Sequence, residues 1–135
     1  MLRIHLTPDT QRAYDTAYLI FVGRPIPILR DARLRECDYR GFEGCTRAEM
    51  EIARPSAIHK PFPHGENYKQ VAVRMHSFLK DLVAERDGQQ VMLVEHAATL
   101  WMLEHWLQDR PLEAVEGIFP ERPWRFALEP QRWHS

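Results

Sequence analysis

The stretch Val91-Met-Leu-Val-Glu-His-Ala-Ala-Thr99 decides how this chain folds. Its first four residues are all apolar, which is typical of a strand covered on both faces in a parallel sheet. The residues from Ala97 onward are predicted to form a helix, in which Leu100, Leu103 and Leu107 recur at helical spacing. A buried strand that leads directly into a helix predicts an α/β domain.

A second strand and helix open the chain. Residues 2–6 are predicted to form a short strand, and Thr7, Pro8 and Asp9 then supply an N-cap, a first helical proline and an acid in the first turn. Gly23 lies where a left-handed cap would end this helix. The predicted apolar stripe consists of Ala13, Ala17, Ile20 and Phe21.

The middle of the chain contains a longer helix. One apolar face is predicted for it, made of Tyr68, Val71, Ala72, Met75, Phe78, Leu79 and Leu82.

Residues 25–29 suit an edge strand because two prolines bound them, and residues 31–51 are expected to be mostly loop with one short helix. Residues 54–66 are predicted to be an irregular crossing, and 125–128 could form a last edge strand. Helices that alternate with short apolar strands predict a layered α/β domain with a mainly parallel sheet.

Length and charge limit the classes of protein that fit. A chain of 135 residues predicts one domain over 1–135. Eighteen basic against nineteen acidic residues give no indication of a nucleic-acid partner or an anionic membrane surface. No apolar stretch is long enough for a bilayer span and no signal peptide is visible, so a soluble cytoplasmic protein is expected. Cys37 and Cys45 lack zinc-site spacing and are predicted to be free thiols.

Two places qualify as ligand sites, because ligands of open parallel sheets gather beyond the carboxyl ends of the strands. They are residues 6–12 and residues 95–99, and both are expected at the same sheet edge. His96 combines an ionisable ring with a helix N-terminus, which suits phosphate binding. From spacing alone, His96 could equally be a satisfied histidine at a strand end, and Arg12 an ordinary solvated arginine.

Four segments in order resemble the histidine phosphatase, or phosphoglycerate mutase-like, superfamily. Ile4-His-Leu-Thr-Pro8 with Gln11-Arg-Ala13 is similar to its strand, Ser-Pro turn and Arg-Ala helix. Asp31-Ala-Arg-Leu-Arg-Glu36 with Gly41-Phe-Glu-Gly44 resembles its Leu-Arg-Glu and Trp-Glu-Gly block. Pro63-His-Gly-Glu66 resembles its Pro-Gly-Gly-Glu segment, and Val91 to Ala97 resembles the strand that delivers its second histidine.

The resemblance implies a three-layer fold and a metal-free, cofactor-free reaction in which a phosphoryl group is transferred to a histidine nitrogen. Arg12, His96 and the helix start at Ala97 would bind phosphoryl oxygens, and Glu36 would be the general acid, with a raised pKa. Without that context Glu36 is an ordinary surface acid between arginines. The expected ligand is a phosphate ester or inorganic phosphate, whose identity the sequence does not specify.

The family's opening Arg-His-Gly motif, which supplies the attacking histidine, does not occur in this sequence. The family's first strand and helix are therefore expected to be missing, and catalysis to be impaired. His5, with its side chain expected to point at a sheet face, and His64 are weak substitutes. Exposed sheet edges would follow, so either residues 1–6 fill the gap or two chains associate there, and the second outcome predicts a homodimer. The alternative function is a non-catalytic protein that binds a phosphorylated ligand or serves as an interaction module.

Overall fold

The computed structural model describes residues 2–7, 10–23, 27–42, 44–86, 88–93 and 95–118. The strands are β1 (Leu2–Thr7), β2 (Ile28–Arg30) and β3 (Gln90–Leu93). The α-helices are α1 (Gln11–Phe21), α2 (Arg47–Ala53), α3 (Tyr68–Arg86), α4 (Ala97–Leu107) and α5 (Leu112–Val115). Short 3-10 turns span Ala32–Leu34, Arg40–Phe42 and Ser56–Ile58.

The described strands form one parallel sheet in the order β2-β1-β3. Leu6 of β1 lies opposite Leu29 of β2 and Leu93 of β3, so the carboxyl ends of the strands meet at one edge. Helices that alternate with parallel strands confirm the predicted α/β class. β2 lies at the edge of these three strands, as the flanking prolines indicated, although it begins three residues later than predicted.

The core lies between the sheet and the helices α3 and α4. All seven residues of the predicted α3 stripe are buried, and Trp101, Met102 and Leu103 of α4 pack with them. Val91 and Leu93 pack against the same cluster. The prediction that both faces of β3 are covered is wrong, because Met92 is 39% exposed. In the described part of the chain, α3 and α4 cover only the face that carries Val91 and Leu93.

The first helix begins later than predicted. Thr10, and not Thr7, is the N-cap: its hydroxyl accepts from the Ala13 amide at 3.4 Å. Thr7 instead ends β1, where its backbone pairs with Arg30. Ala13 and Ala17 are buried as predicted, whereas Ile20 is 60% exposed. Helix α1 contacts both β1 and β2.

Residues 31–51 and 54–66 are mostly irregular, as the sequence indicated, and α2 is the α-helix that the structure describes between residues 31 and 66. A reciprocal capping box between Thr46 and Glu49 begins α2. Gly65 is required where two segments meet, since a Cβ built there would lie 2.1 Å from the Asp38 carbonyl oxygen. The predicted strand at 125–128 lies outside the described residues. No helix in the described ranges is long and apolar enough to cross a membrane.

Candidate functional site

A cavity of about 740 Å³ opens beside the carboxyl ends of β1 and β3. Arg12, Glu36 and His96 all line it, although they lie far apart in the sequence. Arg12 follows β1 and His96 follows β3, and these two strands are neighbours in the sheet. The other residues that line it are Thr10, Ala32, Arg35, Asp38, Arg40, Glu66 and Arg74.

Arg12 lies in the first turn of α1 and is exposed. Within the described ranges, no side chain forms an ion pair or hydrogen bond with its guanidinium. Two other arginines of the cavity do have anionic partners: Arg40 lies 3.6 Å from Asp38, and Arg74 pairs with Glu66 at 3.0 Å. Arg12 is therefore available to an anion that enters the cavity.

His96 is the N-cap residue of α4 and is half-buried. Its backbone amide donates to the Thr99 hydroxyl oxygen at 3.3 Å, which fixes the turn between β3 and α4. The ring therefore lies at the positive end of a helix, where an anion is stabilised. Ala97, the other predicted ligand on this helix, is not among the described residues that line the cavity.

The Glu36 carboxylate lies against the start of α4. Its Oε1 accepts hydrogen bonds from the amides of Cys37 at 2.8 Å and Ala98 at 3.2 Å. Burial raises the pKa of Glu36 above its ordinary value, although these amides and the charges of His96 and Arg74 oppose the change. A raised pKa is what a general acid requires, and it agrees with the expectation for Glu36.

Glu95, a second acid beside the site, lies in one of the two predicted ligand segments, but sequence reasoning gave it no role. The Thr99 hydroxyl donates to Glu95 Oε2. Glu95 Oε1 is buried and has no hydrogen-bond partner in the described part of the structure. Burial raises the pKa of Glu95 to about 8, and the negative charge of Glu36 adds to the effect. An acid directly after an apolar strand was the sequence signal that could have identified it.

The two substitute nucleophiles lie in different parts of the fold. His64 is exposed in a tight turn, with a φ of 60°, and is absent from the cavity residues that the structure describes. His5 lies within β1, where its backbone pairs with Ile28 and Met92. The orientation of the His5 side chain stays a prediction.

The residues with described positions include no group of three or more His, Cys, Asp or Glu side chains that could hold a metal ion. Cys37 and Cys45 are both free, as predicted.

Solved structures with similar folds include a mycobacterial phosphatase. YhfR from Bacillus stearothermophilus is 28% identical with a TM-score of 0.72, and the match covers 93% of this chain and 64% of YhfR. The mycobacterial glucosyl-3-phosphoglycerate phosphatase Rv2419c, solved with VO3, is 26% identical with a TM-score of 0.67, covering 85% and 62%. The same phosphatase has also been solved with inorganic phosphate.

Sequence comparison gives the family. The bifunctional protein Rv2228c of Mycobacterium tuberculosis is 29% identical over 101 residues, which is 69% of this chain and 28% of that protein. The chain thus spans less than two thirds of each of these relatives. The family model of the histidine phosphatase superfamily (branch 1) matches residues 2–128. With that match over nearly its whole length, the chain belongs to the histidine phosphatase superfamily.

Proposed function

We propose that the cavity binds the phosphoryl group of a phosphate monoester, and that the chain takes part in phosphoryl hydrolysis or transfer of the histidine phosphatase type. One observation carries the proposal: a guanidinium without a described partner, a histidine at a helix N-terminus and a half-buried acid line the same cavity. The complexes of a related phosphatase with VO3 and with inorganic phosphate support the same ligand class.

Each residue has a chemical role in this proposal. Arg12 and His96 hold the phosphoryl oxygens by charge-assisted hydrogen bonds, and the amide at Ala97 adds a helix-terminus donor. Glu36 donates its proton to the ester oxygen as the bond from that oxygen to phosphorus breaks. The raised pKa of Glu36 increases the fraction of molecules that hold this proton at neutral pH.

The reaction of the family needs a nucleophile as well. A histidine nitrogen attacks phosphorus, the ester oxygen leaves with the proton of Glu36, and water then cleaves the nitrogen–phosphorus bond and returns a proton to Glu36. The products are the alcohol and inorganic phosphate. Of the described residues that line the cavity, His96 is the one histidine, and no Arg-His-Gly occurs in the sequence. We therefore expect impaired turnover in this chain.

A second candidate function is binding without turnover. The same shortage of histidines in the described lining favours it, since phosphate recognition by Arg12 and His96 requires no nucleophile. Both candidates predict phosphate binding, and they differ only in whether an ester is cleaved.

Calorimetric titration with inorganic phosphate tests the shared claim. Arg12→Ala should weaken phosphate binding by about tenfold or more, the value of one charge-assisted hydrogen bond. Arg47→Ala is the matched control, because Arg47 is an exposed helical arginine that pairs with Glu51 and does not line the cavity. Equal affinities in the wild type, Arg12→Ala and Arg47→Ala would refute the proposed site.

Turnover of p-nitrophenyl phosphate separates the two candidates. Release of p-nitrophenol that is lost in Arg12→Ala and His96→Ala, with an acid-labile phosphohistidine trapped on the protein, supports catalysis. Phosphate binding without release of p-nitrophenol supports the non-catalytic candidate.

The finer architecture is also a proposal. We infer that helices lie on both faces of the sheet as a whole, although among the described residues α3 and α4 cover only the face of β3 that carries Val91 and Leu93. Among the described strands, β3 pairs only with β1, and its second edge suits association of two chains. Light scattering should give a dimer, and a monomer at high concentration would reject this assembly.

A further inference from the structure

Arg74 of α3 lines the cavity, yet none of its donors is left for a ligand. A guanidinium has five N–H donors. Two of these bind Glu66, from Nε to Oε2 and from Nη2 to Oε1, each at 3.0 Å. The other three donate to backbone carbonyls of Arg33 at 2.7 Å, Arg35 at 2.7 Å and Glu36 at 3.1 Å.

Two of the three carbonyls that Arg74 binds, those of Arg35 and Glu36, belong to a segment without regular structure. Residues 35–39 form neither helix nor strand, so no ladder of backbone hydrogen bonds satisfies their polar groups. Arg74 supplies these bonds from a side chain that is only 20% exposed. It therefore fixes the backbone immediately before and at Glu36.

Glu66 binds the backbone just after Glu36, at Asp38. Its Oε1 accepts from the Asp38 amide at 2.9 Å, and its own amide donates to the Asp38 carbonyl at 3.0 Å. The Arg74–Glu66 pair thus forms hydrogen bonds with the backbone on both sides of Glu36. Between these contacts, the Glu36 carboxylate accepts a hydrogen bond from the Ala98 amide at the start of α4.

We propose that Arg74 and Glu66 are positioning residues, which hold the Glu36 carboxylate against the start of α4 and facing the phosphate cavity. Neither residue contacts the phosphoryl group. The catalytic part of this inference rests on the proposed function, since Glu36 must be the proton donor for its position to affect turnover.

Lysine at position 74 isolates this role. Arg74→Lys keeps the positive charge, but a lysine cannot form the five hydrogen bonds of the guanidinium. The contacts with the backbone around Glu36 are therefore lost while the local charge is unchanged. Arg33→Lys is the matched control. Arg33 also bonds to α3, but through the side chains of Ser77 and Asp81 and not through the backbone next to Glu36.

Amide hydrogen exchange reports the position of the Glu36 carboxylate and does not depend on catalytic activity. Since Glu36 Oε1 is the described acceptor of the Ala98 amide, Arg74→Lys should speed exchange at Ala98 by about tenfold or more. Amides within α4, such as that of Leu103, should keep their protection. Arg33→Lys should leave Ala98 at the wild-type rate. Unchanged exchange at Ala98 in Arg74→Lys, or a uniform loss of protection through α3 and α4, would overturn the proposal.

Activity then tests the link to the proposed function. A proton donor matters most for a poor leaving group, so Arg74→Lys should slow turnover of glycerol phosphate about tenfold more than that of p-nitrophenyl phosphate. Phosphate affinity should stay within about threefold of wild type, because Arg12 and His96 lie outside the segment that Arg74 and Glu66 bind. Faster exchange at Ala98 in a protein that cleaves neither ester would uphold the positioning of Glu36 and refute the catalytic function.

Discussion

Replacement of Glu95 by glutamine should make the protein more stable than the wild type at high pH, because the wild type loses stability as the pH rises and the variant does not. In the folded chain burial raises the pKa of Glu95 from 4.5 to about 8, while the unfolded chain has the ordinary value. The folded state therefore keeps a proton that the unfolded state releases between these two pH values. Stability from this group is fully present below about pH 4.5 and is lost as the pH rises through 8.

The size of the effect follows from the same values. A tenfold change in proton affinity corresponds to about 1.4 kcal/mol. The change from 4.5 to about 8 then sets an upper limit of roughly 5 kcal/mol on the stability lost over this range. Because Glu95 is only partly buried as a residue, screening by solvent lowers the expected loss to roughly 2 to 4 kcal/mol.

Urea denaturation of the wild type and of Glu95→Gln, at pH values from 5 to 8.5, measures this effect. The two proteins should differ little at pH 5, and the variant should be the more stable by roughly 2 to 4 kcal/mol at pH 8.5. Glu85→Gln is the control, since Glu85 is an exposed acid of α3, and its difference from wild type should not depend on pH. A pH-independent difference for Glu95→Gln as well would refute the assignment of a buried proton to this residue.

Three further substitutions test the core, a close backbone contact and a helix cap. Leu34→Ala removes a fully buried side chain and should lower the free energy of unfolding in urea by about 2 to 5 kcal/mol. Gly65→Ala places a Cβ 2.1 Å from the Asp38 carbonyl oxygen, so it should cost about 1 to 3 kcal/mol and expose the Glu66 amide to hydrogen exchange. Thr46→Ala breaks the capping box with Glu49; it should cost about 1 kcal/mol, seen as faster exchange in α2, and unchanged exchange would contradict the assigned cap.

The long helix α3 could be predicted in detail because its signal is repeated. Over 19 residues, each turn places another apolar side chain on the same face, and all seven predicted stripe residues are buried. The start of α1 had no such redundancy. Thr7 and Thr10 are both good N-cap residues, and the sheet pairing of Thr7 decided between them. Local preference predicts which residues can cap a helix, but tertiary pairing selects the one that does.

The role of Arg74 could not be predicted from spacing. In the sequence it is one of several charged residues off the apolar face of α3, and such residues are usually solvated. Its partners are carbonyls about 40 residues earlier, in a segment with no periodicity. Backbone carbonyls carry no sequence signal, because every residue has one. An arginine that organises a loop is therefore visible only once the loop has a conformation.

The candidate site combines residues that are held in two different ways. Arg12 and His96 follow adjacent parallel strands, so the sheet itself brings them to one edge. Glu36 comes from an irregular segment, whose backbone is bound by the side chains of Arg74 and Glu66. Perturbation of the sheet should therefore weaken phosphate binding, whereas perturbation of the loop should remove the proton donor and leave binding intact. Since binding and proton donation depend on separate parts of the fold, either can be lost while the other is kept.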